Sequence, residues 1–212
     1  MTMLTEYGRR AKAAAKVLSL ADTDTKNRAL MACAEALLDG MDGLIAANGS
    51  DIESARKNGL SEAMIDRLTL TESRIRGMAE GLVKVAALRD PVGKLLEENI
   101  RPNGLKIQKI TVPMGVIGII FESRPNVCAD SAALCLKSGS CCILRGGKEA
   151  IRSNMAITAL LRSALKKAGL PEDCIQTVED TTRESAAALM TLKGYVDLMI
   201  PRGGRGLIQS VV

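Results

Sequence analysis

Three short apolar runs in the second half of the chain each break off into arginine with glycine or proline, and this recurrence restricts the fold more than any other feature. Val116-Ile117-Gly118-Ile119-Ile120-Phe121 ends in Glu122-Ser123-Arg124-Pro125-Asn126. Cys141-Cys142-Ile143-Leu144 ends in Arg145-Gly146-Gly147-Lys148, and Tyr195-Val196-Asp197-Leu198-Met199-Ile200 in Pro201-Arg202-Gly203-Gly204-Arg205-Gly206. Stretches of helical length lie between them, at residues 127–137, 150–167 and 183–190, with a further short run at 175–178. Short apolar runs alternating with helices predict right-handed βαβ units and a parallel, doubly wound sheet. Such sheets bind ligands at the carboxyl ends of their strands. Three strand ends of this kind would ring one crevice with cations and exposed backbone N–H groups, which suits a phosphate-bearing ligand.

The first 90 or so residues read instead as helices. Asp24 is a candidate N-cap for a helix that places Ala29, Leu30, Cys33, Ala36 and Leu37 on one face. Gly40 and Gly43 punctuate it, a helix over 44–57 stops at Asn58-Gly59, and one over 71–88 closes at Asp90-Pro91. Arg101-Pro102-Asn103-Gly104 is a turn signal, and the alternation in Leu105-Lys106-Ile107-Gln108-Lys109-Ile110 predicts a half-buried strand of a hairpin or ribbon. Further on, Thr181 and Glu184 predict a capping box for the helix near 183. The run from Gly206 to Val212 looks like a helix just begun. A doubly wound domain is not expected to stop there, so the sequence reads as a fragment with apolar sheet surface left open.

Composition removes several kinds of chemistry. The chain has no His, which excludes Ser-His-Asp and Cys-His catalysis and His-ligated zinc. One Phe, two Tyr and no Trp leave little for base stacking, and a net charge of +5 over 212 residues is modest, so nucleic-acid binding is not expected. Cys33, Cys128, Cys135, Cys141, Cys142 and Cys174 form no Cys-x-x-Cys pair; most sit among aliphatic residues and read as reduced core thiols. The start lacks the apolar stretch of a signal peptide, and the longest apolar run is too short to span a bilayer. A cytoplasmic protein with no metal and no membrane partner is expected.

The segments Val112-Pro113-Met114-Gly115-Val116-Ile117-Gly118, Phe121-Glu122-Ser123-Arg124-Pro125-Asn126-Val127, Leu144-Arg145-Gly146-Gly147-Lys148-Glu149-Ala150 and Ile200-Pro201-Arg202-Gly203-Gly204 together resemble the γ-glutamyl phosphate reductases, a family of the aldehyde dehydrogenase superfamily. The resemblance runs from about Tyr7 to Val212. It implies an α/β fold in which N-terminal helices (1–92) and a β-ribbon (93–114, a candidate oligomerisation element) lead into an incomplete, doubly wound, Rossmann-like sheet (115–212). It also implies NADPH-dependent reduction of γ-glutamyl phosphate to glutamate-5-semialdehyde and phosphate, a step of proline biosynthesis. In that chemistry a cysteine thiolate displaces phosphate and hydride reduces the resulting thioester. None of the six Cys here occupies the family's nucleophile segment, which the resemblance puts beyond Val212, with the catalytic domain. The chain is therefore expected to be the cofactor-binding portion and inactive alone. A homo-oligomer is expected of the intact enzyme, with glutamate 5-kinase as a pathway partner. The alternative reading is a stand-alone nucleotide-binding or regulatory module without catalysis.

The resemblance also distributes roles. Arg145 stands where related dehydrogenases contact the cofactor ribose, and its guanidinium suits that group or the NADP 2′-phosphate. Gly146, Gly147 and Lys148 follow it; Gly203 and Gly204 match the segment beside the pyrophosphate. Glu122 and Ser123 belong to the strand-end turn under the nicotinamide. Arg124 and Asn126 are candidates for holding the acyl phosphate or polarising the carbonyl oxygen. Taken as residues alone, the same positions are compatible with ordinary turns and solvated cations.

Overall fold

The structure, a computed structural model, describes residues 3–211. Five helices come first: α1 (Met3–Leu18), α2 (Thr23–Asp39), α3 (Met41–Lys57), α4 (Glu62–Leu68) and α5 (Glu72–Ala87). An antiparallel hairpin follows, β1 (Leu95–Ile100) with β2 (Lys106–Ile110). Then strands and helices alternate: β3 (Val116–Phe121), α6 (Asn126–Lys137), β4 (Cys141–Arg145), α7 (Ile151–Lys167), β5 (Ile175–Thr177), α8 (Arg183–Met190), β6 (Leu198–Arg202) and α9 (Arg205–Val211).

The last four strands form one parallel sheet in the order β5-β4-β3-β6. From β3 the chain steps outward to β4 and β5, then returns to add β6 on the other side. The strand order therefore reverses between β3 and β6, the point where open α/β sheets place their ligands. Helices α6 and α7 cover one face, backed by α2, α3 and α5, while α1 and α8 pack on the other. All of β3 and Cys141–Leu144 of β4 are buried, which explains why they read as continuous apolar runs rather than alternating ones.

Asp197 fixes the amino-terminal edge of this sheet. Its carboxylate accepts the Val116 backbone N–H at 2.8 Å and pairs with Lys12 of α1 at 2.6 Å. Gly115 precedes Val116 at φ +103°, and a Cβ there would lie 2.2 Å from the Asp197 carboxylate, so glycine is required twice over. At the base of the hairpin, buried Lys26 pairs with Asp90 at 2.7 Å. Among the described residues no helix is long and apolar enough to cross a membrane.

Several local expectations are corrected. Asp22, not Asp24, caps α2, its side chain accepting the Thr25 N–H at 2.7 Å. Gly43 lies inside α3, and α4 was not anticipated. Thr182, not Thr181, caps α8 and accepts the Ser185 N–H. Strand β6 begins at Leu198 rather than Val196 and continues through Pro201 to Arg202; an edge strand tolerates Pro because one side of it needs no ladder partner. The hairpin strand β2 is exposed on both faces rather than half-buried, because among the described residues it packs mainly against β1. On the β6 side the sheet face is open as well, with Leu134, Leu198 and Ile200 exposed.

Candidate active site

The register of the parallel sheet brings the strand ends level: Ile120 stands opposite Arg145, and Phe121 opposite Arg202. The polar segments that follow β3 and β6 consequently meet at the reversal of strand order. Arg67, Glu122, Ser123, Arg124, Arg202 and Gly203 border a depression of about 330 Å³ there. The exposed carboxylate of Glu122 crosses to the β6 side and accepts the backbone N–H of Gly204 at 3.0 Å. A backbone donor at this crossing thus already holds a negatively charged oxygen.

A second depression, about 370 Å³, shares Arg67 and Arg124 and continues past Asn126 and Asp130 to Arg74 and Asp66. Asn126 begins α6, and its Nδ2 donates to Asp130 Oδ2 at 2.9 Å, one helical turn on. One amide hydrogen of Asn126 is therefore committed and the other remains available. Burial pushes the Asp130 carboxyl above its ordinary pKa, a shift opposed by the Asn126 hydrogen bond and by the charge of Arg202. Arg74 and Asp66 satisfy each other at 2.8 Å.

Arg145 is placed differently. Its Nη2 donates to the carbonyls of Thr181 and Thr182, at 2.5 and 2.8 Å, while its buried Nε has no partner. The guanidinium thereby holds the loop between β5 and α8 against the end of β4, and burial lowers its pKa. Gly146 packs under α7: a Cβ there would lie 2.2 Å from the Asn154 amide nitrogen and 3.0 Å from the Phe121 ring. A Cβ on Gly147 would meet the Glu149 carboxylate, and Lys148 is exposed at the start of a short 3₁₀ turn. Arg145, Gly146, Gly147 and Lys148 line neither depression.

The structure thus gathers Glu122, Ser123, Arg124 and Gly203 at one crevice, with Gly204 tied to it and Asn126 next door. Sequence reasoning missed Arg67, which sits on the unanticipated α4, and Asp130. The signal for Asp130 was legible: one acid on a helix whose buried residues include Val127, Cys128, Ala129, Ala132, Ala133 and Leu136. All six cysteines are buried. Burial pushes the Cys33 thiol up to about 12 and raises Cys128 further, while Cys141 and Cys142 are raised first by the neighbouring thiols of Cys174 and Cys135 and then by burial. No cluster of potential metal ligands occurs among the described residues.

The architecture of helices, hairpin and parallel sheet is that of the aldehyde dehydrogenase fold. A probable aldehyde dehydrogenase from Listeria monocytogenes superposes with a TM-score of 0.75 over 97% of this chain and 42% of its own, at 16% identity. Within that fold the chain is similar to gamma-glutamyl phosphate reductases. It is 52% identical over 204 residues to the Caldanaerobacter subterraneus enzyme of that name, covering 96% of this chain and 49% of the relative. The crystal structure of the Thermotoga maritima gamma-glutamyl phosphate reductase superposes with a TM-score of 0.97 at 41% identity, covering 99% of this chain and 51% of that one. The chain spans about half the length of the curated relatives it matches. No family profile matches it.

Proposed function

We propose that this chain forms the cofactor-binding half of an NADPH-dependent reductase that converts γ-glutamyl phosphate to glutamate-5-semialdehyde and phosphate. The observation that carries the reading is the convergence of two strand ends at the reversal of strand order, where a backbone N–H and three arginines face one crevice. Similarity to gamma-glutamyl phosphate reductases over nearly the whole chain supports the same assignment.

The residues fit a dinucleotide phosphate. The Gly204 N–H donates to a carboxylate oxygen of Glu122, so it can donate to a phosphate oxygen in its place, and Gly203 leaves the approach unobstructed. Arg145, Gly146, Gly147 and Lys148 form the neighbouring strand end; in this reading they flank the ribose and its 2′-phosphate, with Arg145 acting partly through the loop it holds. NADPH supplies a hydride when bound. Glu122 and Ser123 shape the crevice under the reacting end, and Arg124, with the free amide hydrogen of Asn126, stabilises negative charge on the acyl phosphate. The thiol nucleophile of such a reaction is not one of the six buried cysteines here.

The division into helices (1–92), ribbon (93–114) and sheet (115–212) has a functional reading too. An isolated hairpin exposed on both faces is marginal in water. Leu96, Ile100, Leu105 and Ile107 are exposed, and we take the ribbon as the contact through which copies of the intact enzyme assemble in the cytoplasm. The acyl phosphate it consumes is the product expected of glutamate 5-kinase. The deciding experiment runs the reaction backward in a full-length protein carrying this sequence. Glutamate-5-semialdehyde and NADP⁺ should yield NADPH when inorganic phosphate is added; NADPH formation that ignores phosphate would reject the assignment.

A further inference from the structure

We infer that Asp130 receives the α-ammonium group of the substrate, with Arg67 on the same depression taking its α-carboxylate. The inference rests on the reading of the site as a γ-glutamyl phosphate reductase. It deepens that reading by assigning the amino-acid head group a place of its own.

Asp130 is half-buried on α6 and borders the 370 Å³ depression. It accepts one hydrogen bond, from Asn126, and has no ion pair among the described residues. A carboxylate that is partly desolvated and short of partners costs stability unless something else uses it. On the same depression, the guanidinium groups of Arg67 and Arg124 make no hydrogen bond or ion pair with any described residue, whereas the neighbouring Arg74 and Asp66 neutralise each other. The depression therefore offers one unpaired acid and two unpaired guanidinium groups. An α-amino acid head group carries the complement, an ammonium and a carboxylate on one carbon. Planar guanidinium suits the carboxylate, and a carboxylate with free lone pairs suits the ammonium.

The neighbouring depression completes the argument. It shares Arg67 and Arg124 and opens onto Glu122, Arg202 and Gly203 at the sheet's reversal point. A glutamyl chain seated by its head group beside Asp130 would extend its acyl end toward that crossing. Arg124 borders both depressions, so it can serve the acyl end while Arg67 holds the carboxylate.

The test compares two aldehydes in the full-length reductase, run in the phosphate-dependent direction: glutamate-5-semialdehyde and 5-oxopentanoate, which keeps a carboxylate and lacks the amino group. The parent should prefer the amino substrate by about tenfold or more in kcat/KM, the size expected of a hydrogen bond to a charged group. Asp130→Asn, isosteric and able to keep the Asn126 contact, should lose most of that preference through KM. Asp130→Glu, which keeps the charge, should retain part of it. Arg67→Ala should raise KM for both aldehydes. A folded Asp130→Asn enzyme with undiminished preference overturns the inference while leaving the reductase intact. A parent with no phosphate-dependent turnover overturns the reading of the whole site instead.

Discussion

The carboxylate of Glu122 and the backbone N–H of Gly204 are joined by a 3.0 Å hydrogen bond that spans the gap between β3 and β6. The contact puts a negative charge on the donor that a cofactor phosphate would need. Binding must then displace Glu122, and the displacement opposes affinity. Glu122→Gln removes the charge while keeping the side chain's shape. NADPH should bind the variant several-fold more tightly in calorimetric titration, because a neutral amide competes less well than a carboxylate for one N–H. Equal or weaker binding would place the phosphates elsewhere.

Arg145→Ala is expected to act on stability and affinity together. Removing the guanidinium leaves the Thr181 and Thr182 carbonyls without their charged donor. Urea denaturation should show a loss of about 1–3 kcal/mol. NADPH affinity should fall about tenfold as the loop before α8 loosens. A variant with unchanged stability would mean that the loop is held by other contacts.

Gly146→Ala tests the packing at the end of β4. The new methyl would meet the Asn154 amide and the Phe121 ring, and both residues are fully buried with no room to withdraw. Overpacking of this kind costs about 1–3 kcal/mol. The thermal midpoint should drop accordingly, and a midpoint equal to the parent's would show that the strand end can yield.

Acid should weaken the fold through three aspartates. Burial alone would raise the carboxyls of Asp90, Asp173 and Asp197. Their hydrogen bonds and cations (Lys26 and Thr23 for Asp90, Arg10 and Arg162 for Asp173, Lys12 for Asp197) outweigh it and hold all three below the ordinary value of 3.8. A depressed folded-state pKa contributes stability that is present above the unfolded value and is lost as pH falls through the folded one. Stability measured by denaturant titration should therefore be flat with respect to these groups above about pH 5 and decline below about 4. A curve that keeps rising into acid would contradict the pairing.

Thiol reagents should find little to react with in the native chain. All six cysteines are buried, and a protonated thiol is a poor nucleophile. A native titration with a disulfide reagent should proceed at the unfolding rate, and a purified polypeptide of these 212 residues should show no NADPH-dependent reductase turnover. A fast-reacting thiol would point to a nucleophile that the packing hides.

Much of the sheet was legible because β3 and β4 are buried on both faces and so read as unbroken apolar runs ending in polar turns. The helix expected over 71–88 was equally plain, and α5 runs from Glu72 to Ala87. The short α4 was not: its seven residues give too few turns for a period, and Ile65 and Leu68 join a small separate cluster with Ala55 and Ala150 rather than the main core. Arg67 was invisible for the same reason. The hairpin misled because alternation reports which side chains share a face, not whether anything covers it. The Glu122–Gly204 contact joins residues 82 positions apart, and no local pattern carries that information.

Arg10 of α1 binds Asp173 across 163 positions, and Lys12 binds Asp197 across 185. On a ribosome adding roughly 5–20 residues per second, α1 would wait on the order of ten seconds or more for the residues that hold it. Throughout that interval its apolar stripe of Leu4, Ala11, Ala15 and Leu18 has no sheet to cover. While it waits, α1 is thus the natural client of a chaperone, and its docking onto β4 and β5 would be among the last of the folding events that involve it.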